Sequence, residues 1–238
     1  MIALVDSIFK WKKRLCSYDF DRDKGLKASA CLRLMQEAGV RHLTAAGLGY
    51  EALYAQGGVF VLTRLGLKMM KKPALESAVC IHTWTRRTKG VQYFRNFQFT
   101  NDAGEVIIEA GAYWVLVDTE NRRVLRPGSI DLPMAYMADE TVASVDPPKL
   151  IAPDDLLAAG VRVVRYSDLD YNGHVNNAVY ADMVCDVLGR NVSEMTLVFA
   201  GEALRDDEIA LQTAKYGDGI FVRGIHGRGH CFDAQCKL

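Results

Sequence analysis

Three polar side chains of complementary chemistry occupy alternate positions in one short stretch, residues 166–180. They are Asp170, Asn172 and His174, a carboxylate, an amide and an imidazole. The stretch contains a glycine and passes directly into an apolar helical pattern, so all three groups are predicted where a loop joins a helix. A carboxylate or imidazole can move a proton, and an amide can donate to a developing oxyanion. The stretch therefore predicts a site that polarises a carbonyl group and positions a water molecule.

A short strand, the polar loop, a helix and a run of strands are predicted to position these groups. Val161–Tyr166 predicts the short strand, and residues from about His174 to Leu188 predict the helix. A helix that starts near His174 would present unpaired backbone N–H groups and the positive end of its dipole to a ligand. Four strand-like runs follow the helix: Glu194–Glu202, Glu208–Lys215, Ile220–Ile225 and Cys231–Lys237.

The first half of the chain predicts the same order of elements. A strand over Ile8–Tyr18 leads to a loop that carries Asp19, Asp21 and Asp23, and a long helix follows over about Ala28–Ala46. Four strand-like runs come next: Val59–Lys68, Ala78–Arg87, Gln92–Asn101 and Val106–Asp118. No Asn-x-His follows this first acidic loop. We therefore expect one active copy, in the second half, and one silent copy.

The repeated pattern predicts an α+β fold with two tandem hot-dog domains. In each domain an antiparallel sheet would wrap around a long central helix, because a helix that is apolar on most faces must be covered by a curled sheet. The two copies would pack as a pseudo-dimer with joined sheets. A Rossmann-type domain is the weaker alternative, because the strands cluster after each helix and no Gly-x-Gly-x-x-Gly follows a strand.

Proline content marks the predicted boundary between the two copies. Five of the six prolines lie between Pro127 and Pro153, and proline disfavours both central strands and helix continuation. We expect a non-catalytic domain over residues 1–125, a proline-rich linker over 126–158 and a catalytic domain over 159–238. A short helix is predicted in the linker near Met134–Glu140.

The motif Ser167–Asn177, followed by Tyr180, resembles the signature of acyl-acyl-carrier-protein thioesterases of the bacterial type. The resemblance extends to Tyr113–Asp118 with Arg122-Arg123 behind it, and to Leu197–Arg205. It implies a double hot-dog enzyme that hydrolyses the thioester of a fatty acyl chain on acyl carrier protein, and releases the free fatty acid. It also implies that the domain over residues 1–125 holds the acyl-chain pocket, and that its helix lines an acyl tunnel near Met35, Ala38 and Leu43.

Carried over position by position, the resemblance implies that Asp170, Asn172, His174 and Glu202 are catalytic. The family often has a cysteine directly after the glutamate, and Ala203 stands there in this chain. A water mechanism in which Glu202 is the base is therefore favoured, provided that burial makes its carboxylate more basic. Three roles stay open at this point. Asn172 could cap the helix or hold the carbonyl or the water, His174 could orient the thioester or serve as acid–base, and Asp170 could fix its neighbours or attack as a nucleophile.

The chain has no net charge, but its charges are unevenly distributed. Residues 1–130 hold 20 Lys and Arg against 12 Asp and Glu, and residues 131–238 hold 9 against 17. Three basic clusters lie in the first half: Lys10, Lys12, Lys13 and Arg14; Lys68, Lys71 and Lys72; Arg86, Arg87 and Lys89. Acyl carrier protein is acidic, so we expect it to dock on the basic half. A nucleic-acid partner fits poorly, since no binding motif is present.

Composition predicts a cytoplasmic protein of ordinary globular type with no cofactor. Half of the residues are hydrophobic, no apolar run approaches the roughly 20 residues that span a bilayer, and we expect no secretory signal and no membrane association. The six cysteines are scattered without a Cys-x-x-Cys pair, which favours free thiols and no metal site. A homodimer is left open. An acyl-CoA thioesterase of the same fold and a non-catalytic acyl-binding module are the alternative functions.

Overall fold

The computed structural model describes residues 7–132 and 145–238. In the first half the elements are β1 (Ile8–Arg14), α1 (Ala28–Ala45), α2 (Tyr50–Ala55), β2 (Gly58–Met69), β3 (Ala78–Lys89), β4 (Gln92–Thr100) and β5 (Val106–Asp118). In the second half they are β6 (Leu157–Val163), α3 (Asn177–Leu188), β7 (Glu194–Phe199), β8 (Glu208–Tyr216), β9 (Gly219–His226) and β10 (Gly229–Lys237).

All ten strands form one antiparallel sheet in the order β1-β3-β4-β5-β2-β7-β10-β9-β8-β6. The order within the second half, read from its outer edge, repeats the order within the first. The halves join where β2 pairs with β7, with Leu65 opposite Leu197. This arrangement confirms the predicted tandem hot-dog fold with joined sheets.

The two central helices lie against each other inside the curled sheet. Buried positions occur on most faces of α1, from Ala28 to His42, which is why its sequence is apolar nearly all round. One contiguous core contains α1, α3 and the inward-facing strand residues of both halves. At the helix–helix contact Arg33 Nη2 lies 3.0 Å from Asp182 Oδ2. The halves therefore share a core and do not form separate globules.

The loop before each central helix has the same backbone hydrogen bonds in both copies. The N–H of Asp21 donates to the carbonyl of Gly25 at 2.8 Å, and the N–H of Asp170 donates to the carbonyl of His174 at 2.8 Å. In each loop the aspartate Oδ1 also accepts from the backbone N–H groups two and four residues later. Asp21 is thus the counterpart of Asp170, and Gly25 stands where the second copy has His174.

Several predicted boundaries were wrong. Helix α3 begins at Asn177 and not at His174, because residues 170–174 form the hydrogen-bonded loop just described. Strand β6 begins at Leu157, four residues before the predicted start, and β7 ends at Phe199 and not at Glu202. The short helix α2 was not predicted. The helix expected near Met134–Glu140 lies outside the described residues.

Close backbone contact explains two glycines that face the end of the linker. A Cβ atom at Gly111 would lie 1.9 Å from the carbonyl oxygen of Val145, and one at Gly66 would lie 2.6 Å from a methyl carbon of Val145. The chain after residue 144 therefore crosses directly over β2 and β5. Within residues 7–132 and 145–238, no helix is long and apolar enough to cross a membrane.

Candidate active site

The Asp170 carboxylate organises the loop that carries the other candidate residues. Its Oδ1 accepts from the backbone N–H of Asn172 at 2.8 Å and of His174 at 3.3 Å. Gly173 has φ of 77° in this turn, a conformation that glycine adopts without strain. Asp168 binds the backbone in the same way one turn earlier: its buried carboxylate accepts from the N–H of Arg165 at 2.8 Å. The loop geometry is therefore fixed by carboxylate-to-backbone bonds.

Asn172 does not cap the helix, contrary to one of the two roles left open. The cap is Asn176, whose Oδ1 accepts from the N–H of Ala178 at 2.9 Å. The Asn172 side chain is oriented instead by two other contacts. Its Oδ1 accepts from the hydroxyl of Tyr50 at 3.3 Å, and its Nδ2 donates to Asp170 Oδ2 at 3.5 Å. The amide group is thus held from both sides.

His174 and Glu202 meet side chain to side chain. His174 Nε2 lies 3.1 Å from Glu202 Oε2, and the imidazole is less exposed, at 31%, than the carboxylate, at 52%. Their backbones are joined as well, because the N–H of Val175 donates to the carbonyl of Ala203 at 2.9 Å. The burial that was expected to make Glu202 more basic is absent.

A second network fixes the backbone of Glu202 from behind. The carbonyl oxygen of Glu202 accepts from His226 Nε2 at 3.0 Å and from Arg228 Nη2 at 3.2 Å. Arg228 also donates to the carboxylate of Asp207 from both terminal nitrogens, Nη1 to Oδ1 at 2.8 Å and Nη2 to Oδ2 at 2.6 Å. Hydrogen bonding by Arg228 lowers the pKa of Asp207. The backbone of Glu202 is therefore held by hydrogen bonds although it lies in a loop beyond the end of β7.

The first half of the chain supplies two residues to the site that sequence reasoning missed. Tyr50, the first residue of α2, bonds Asn172, and its ring meets the ring of Tyr171 edge-on with centroids 5.1 Å apart. Arg122 follows β5, and its Nη1 lies 3.5 Å from Glu202 Oε1. Arg122 belongs to a segment that resembles the family, which was the available signal. Nothing in the local sequence indicated Tyr50.

The first copy of the loop keeps the fold and lacks the chemistry. Asp23 stands where Asn172 stands in the second copy, and Gly25 stands where His174 does. Gly25 offers no proton-transfer group, and a Cβ atom there would lie 3.0 Å from Asp21 Oδ2. Of the two loops, only the second carries a histidine beside its aspartate.

No thiol takes the place of the cysteine that Ala203 replaces. The thiol in this neighbourhood is Cys231, which is fully buried and whose Sγ lies 3.6 Å from Tyr180 Oη and 3.7 Å from the carbonyl of Gly201. Burial raises the pKa of the Cys231 thiol, which disfavours the nucleophilic thiolate. All six cysteines are free. Within the described ranges, no group of three His, Cys, Asp or Glu side chains could hold a metal ion.

A small apolar cavity of about 20 Å³ lies between α1 and the sheet of the first half. Its lining includes Met35 of α1 and Trp114 of β5, together with Asn177, the first residue of α3. Asn177 connects the cavity to the loop that bears His174. Neither Ala38 nor Leu43 lines it: Ala38 lies in the main core, and Leu43 packs beside α2. The volume holds about one water molecule, which is too small for an acyl chain.

The fold and this constellation together define a double hot-dog protein with one polar site, built from both halves. The chain matches the N-terminal domain of acyl-ACP thioesterases over residues 6–127 and their C-terminal domain over residues 159–223. It therefore belongs to the acyl-ACP thioesterase family.

Individual relatives are distant in sequence and close in fold. A chloroplastic palmitoyl-acyl carrier protein thioesterase of Arabidopsis thaliana is 26% identical over 94% of this chain, and a chloroplastic oleoyl-acyl carrier protein thioesterase of the same plant is 24% identical over 86%. The alignments cover 59% and 62% of those proteins, so the chain spans about three-fifths of their length. An acyl-ACP thioesterase from Bacteroides thetaiotaomicron superposes with a TM-score of 0.88 at 17% identity, over 97% of both chains. The 12:0-ACP thioesterase of Umbellularia californica superposes with a TM-score of 0.78 at 21% identity, over 99% of this chain and 98% of that one.

Proposed function

We propose that this protein hydrolyses the thioester of a fatty acyl chain carried on acyl carrier protein and releases the free fatty acid. The observation that carries the proposal is the His174–Glu202 contact beside an oriented Asn172 amide. These are the groups needed to activate a water and to receive the charge of an attacked carbonyl. Membership of the acyl-ACP thioesterase family supports the choice of substrate class.

In this mechanism Glu202 removes a proton from the attacking water. The carboxylate is half exposed, which allows water to reach it, and its contacts with His174 and Arg122 fix its orientation. The water oxygen adds to the thioester carbonyl carbon, and the Asn172 Nδ2–H group donates to the resulting oxyanion. When the carbon–sulfur bond breaks, the thiol leaves with the proton that Glu202 had taken. No covalent acyl-enzyme is formed.

Asp170 acts in this scheme by holding the loop, because its Oδ1 receives two backbone N–H groups and its Oδ2 receives the Asn172 amide. A carboxylate engaged in this way is a poor nucleophile, since attack would break the bonds that shape the site. His174 orients Glu202 and the thioester. The four residues predicted from sequence thus divide into one base, one oxyanion donor and two positioning groups.

The proposed partner is an acidic carrier protein that delivers the acyl chain on its pantetheine arm, with docking on the basic first half. The excess of 20 basic over 12 acidic residues in positions 1–130 supports this choice, because charge complementarity steers association. We also propose a cytoplasmic location, which suits six free cysteines.

A thiol-release assay on purified protein tests the activity. We expect Glu202→Gln, Asn172→Ala and His174→Ala to lower turnover at least about 100-fold with little change in the unfolding temperature. Glu208→Gln is a matched control, because Glu208 is an exposed carboxylate at the start of β8. Near-normal turnover in the first three variants would reject the site.

Matched substrates separate the proposal from its rivals. The same acyl group should be offered on carrier protein and on CoA, and the carrier-protein thioester should have the higher kcat/KM. A higher value for CoA would favour an acyl-CoA thioesterase of the same fold. Binding without thiol release would identify an acyl-binding module. Profiling the free fatty acids released in a bacterial host would then give the preferred chain length.

A further inference from the structure

The strand register separates the basic clusters of the first half into two groups at opposite ends of the sheet. Strands β3 and β5 both run antiparallel to β4, so the last residues of β3 and of β5 lie at the same end of the sheet. Strand β3 has 12 residues, so its two ends lie about 36 Å apart at ~3.3 Å per residue. A basic residue at one end therefore cannot share a docking surface of ordinary size with one at the other.

Two clusters lie at the end remote from Glu202. Arg14 pairs in register with Ala78, the first residue of β3, and the N–H of Lys71 donates to Ile107 at the start of β5. Four basic side chains of these clusters are already paired with acidic ones: Lys12 with Asp102, Arg14 with Glu76, Lys68 with Glu194 and Lys71 with Glu105. Their charge is partly neutralised within the chain.

At the other end of the sheet lies a group that we call the basic rim, defined by Arg87, Lys89, Arg123 and Arg126. All four are exposed, and within residues 7–132 and 145–238 none of them makes an ion pair. Two of them end β3, and the other two follow β5. Asp118 and Glu120 are the acidic residues of this turn, and the Asp118 carboxylate accepts from the backbone N–H groups of Glu120 and Asn121.

Backbone pairing brings the two parts of the rim together. Val117 bridges Val124, and the N–H of Leu125 donates to the carbonyl of Leu116 at 2.8 Å. Strand β5 has β2 on one side and β4 on the other, and Leu116 and Val117 pair with β2 on the first side. Residues 124 and 125 therefore lie on the opposite side of β5, in line with β4. Strand β4 itself pairs with β5 only as far as Gln92 opposite Val115. The segment after β5 therefore lies directly beyond the β3–β4 hairpin.

The rim adjoins the candidate active site. Arg122, next to Arg123 in sequence, contacts Glu202. Val91 and Val124 are apolar side chains of the same region that are 39% and 49% exposed. Among the described residues, this surface thus combines positive charge that makes no ion pair with exposed apolar atoms beside the candidate active site, which is the composition that suits an acidic protein partner.

We propose that the acidic carrier protein docks on the basic rim, so that its acyl-pantetheine arm extends past Arg122 to Glu202. This proposal rests on the function proposed above. The Lys10–Arg14 and Lys68–Lys72 clusters take no part in docking.

Charge reversal at the two ends of the sheet tests the surface. One double variant, Arg87→Glu with Lys89→Glu, alters the part of the rim at the end of β3. A second, Arg123→Glu with Arg126→Glu, alters the part that follows β5. The matched control is Lys10→Glu with Lys72→Glu, which makes the same change in net charge at exposed residues outside the rim. Lys72 lies at the remote end, and Lys10 pairs with His82 in the middle of β3. Each protein is assayed on acyl carrier protein and on the S-acyl pantetheine thioester of the same acid.

We expect both rim variants to lower kcat/KM on the carrier-protein substrate at least about tenfold, with the pantetheine thioester hydrolysed at the normal rate. The control should stay within about twofold on both substrates, and added salt should slow only the carrier-protein reaction. Equal losses in rim and control variants, or unchanged kcat/KM in the rim variants, would reject the surface. Equal loss on both substrates would assign the rim to catalysis and also reject it as a docking surface. If the wild-type protein releases thiol from neither substrate, the proposed function itself fails.

Discussion

Arg122 Nη1 lies 3.5 Å from Glu202 Oε1, while His174 Nε2 lies 3.1 Å from the other oxygen of the same carboxylate. Arg122 comes from the first half of the chain and His174 from the second, so the carboxylate bridges the two halves. Both arginine and glutamate are exposed, at 75% and 52%, and such a pair adds little stability. The contact with Arg122 instead orients the Glu202 carboxylate, which is held between the guanidinium of Arg122 and the imidazole of His174.

The first prediction concerns that orientation. Arg122→Gln should lower kcat on the pantetheine thioester about 3- to 10-fold, because Glu202 loses one of its two side-chain partners. KM should change less than kcat. Arg205→Gln is a matched control, since Arg205 pairs with the exposed Asp206 outside the site. An unchanged kcat for Arg122→Gln would show that His174 alone positions the carboxylate.

The second prediction concerns Tyr50 as a positioning residue. Tyr50→Phe keeps the ring against Tyr171 and removes the hydroxyl that donates to Asn172. Loss of one hydrogen bond of about 0.5–1.5 kcal/mol should lower kcat about 2- to 12-fold and lower the unfolding temperature by at most a few degrees. Tyr54→Phe is the control, because Tyr54 is exposed and contacts Tyr50 through its ring. Equal turnover in both variants would contradict the role.

The third prediction concerns the close packing behind Glu202. A Cβ atom at Gly201 would lie 2.7 Å from the carbonyl oxygen of His230, and a backbone shift that relieves this contact would displace Glu202. Gly201→Ala should therefore cost about 1–3 kcal/mol in the free energy of unfolding and lower turnover as well. Gly227→Ala, where no atom lies within 4 Å, should change neither quantity. Urea unfolding and the thiol-release assay measure both.

The fourth prediction concerns acid stability. Because hydrogen bonding by Arg228 lowers the pKa of Asp207, ionised Asp207 stabilises the fold above the ordinary aspartate pKa of about 3.9. That contribution disappears as the pH falls through the lowered pKa of the folded state. Asp207→Asn should thus be less stable than the wild type at pH 7, and the difference should shrink below about pH 4.

Unfolding curves from pH 7 down to pH 3 check this dependence, with Asp206→Asn as the control because Asp206 is exposed. A stability difference that persists unchanged at low pH would indicate that Asp207 acts through packing and not through charge.

The largely buried elements were the predictable part of the fold. The limits of β5 and the start of α1 agree with the sequence pattern, because both elements are long, mostly apolar runs that follow a polar loop. Strand β6 was placed four residues late because its first residues are exposed at the sheet edge. An exposed edge strand has no alternation of apolar and polar residues to mark it.

The candidate site was predictable only where it is local. Asp170, Asn172 and His174 share one loop, and the resemblance supplied Glu202. The start of α3 was misplaced because the loop carboxylate binds backbone N–H groups that a helix would otherwise use. Tyr50 and Arg122 contact residues that are 122 and 80 positions away in sequence, and only the pairing of the two halves brings them there.

The junction of β2 with β7 has a consequence for how the protein responds to dilution. A site assembled from two separate chains is lost when the subunits dissociate, and its integrity then depends on protein concentration. Here Tyr50 and Arg122 belong to the same polypeptide as His174 and Glu202, and the chain itself supplies a fixed effective concentration of one half for the other. The specific activity per molecule should therefore stay constant down to the lowest concentrations at which a single chain remains folded.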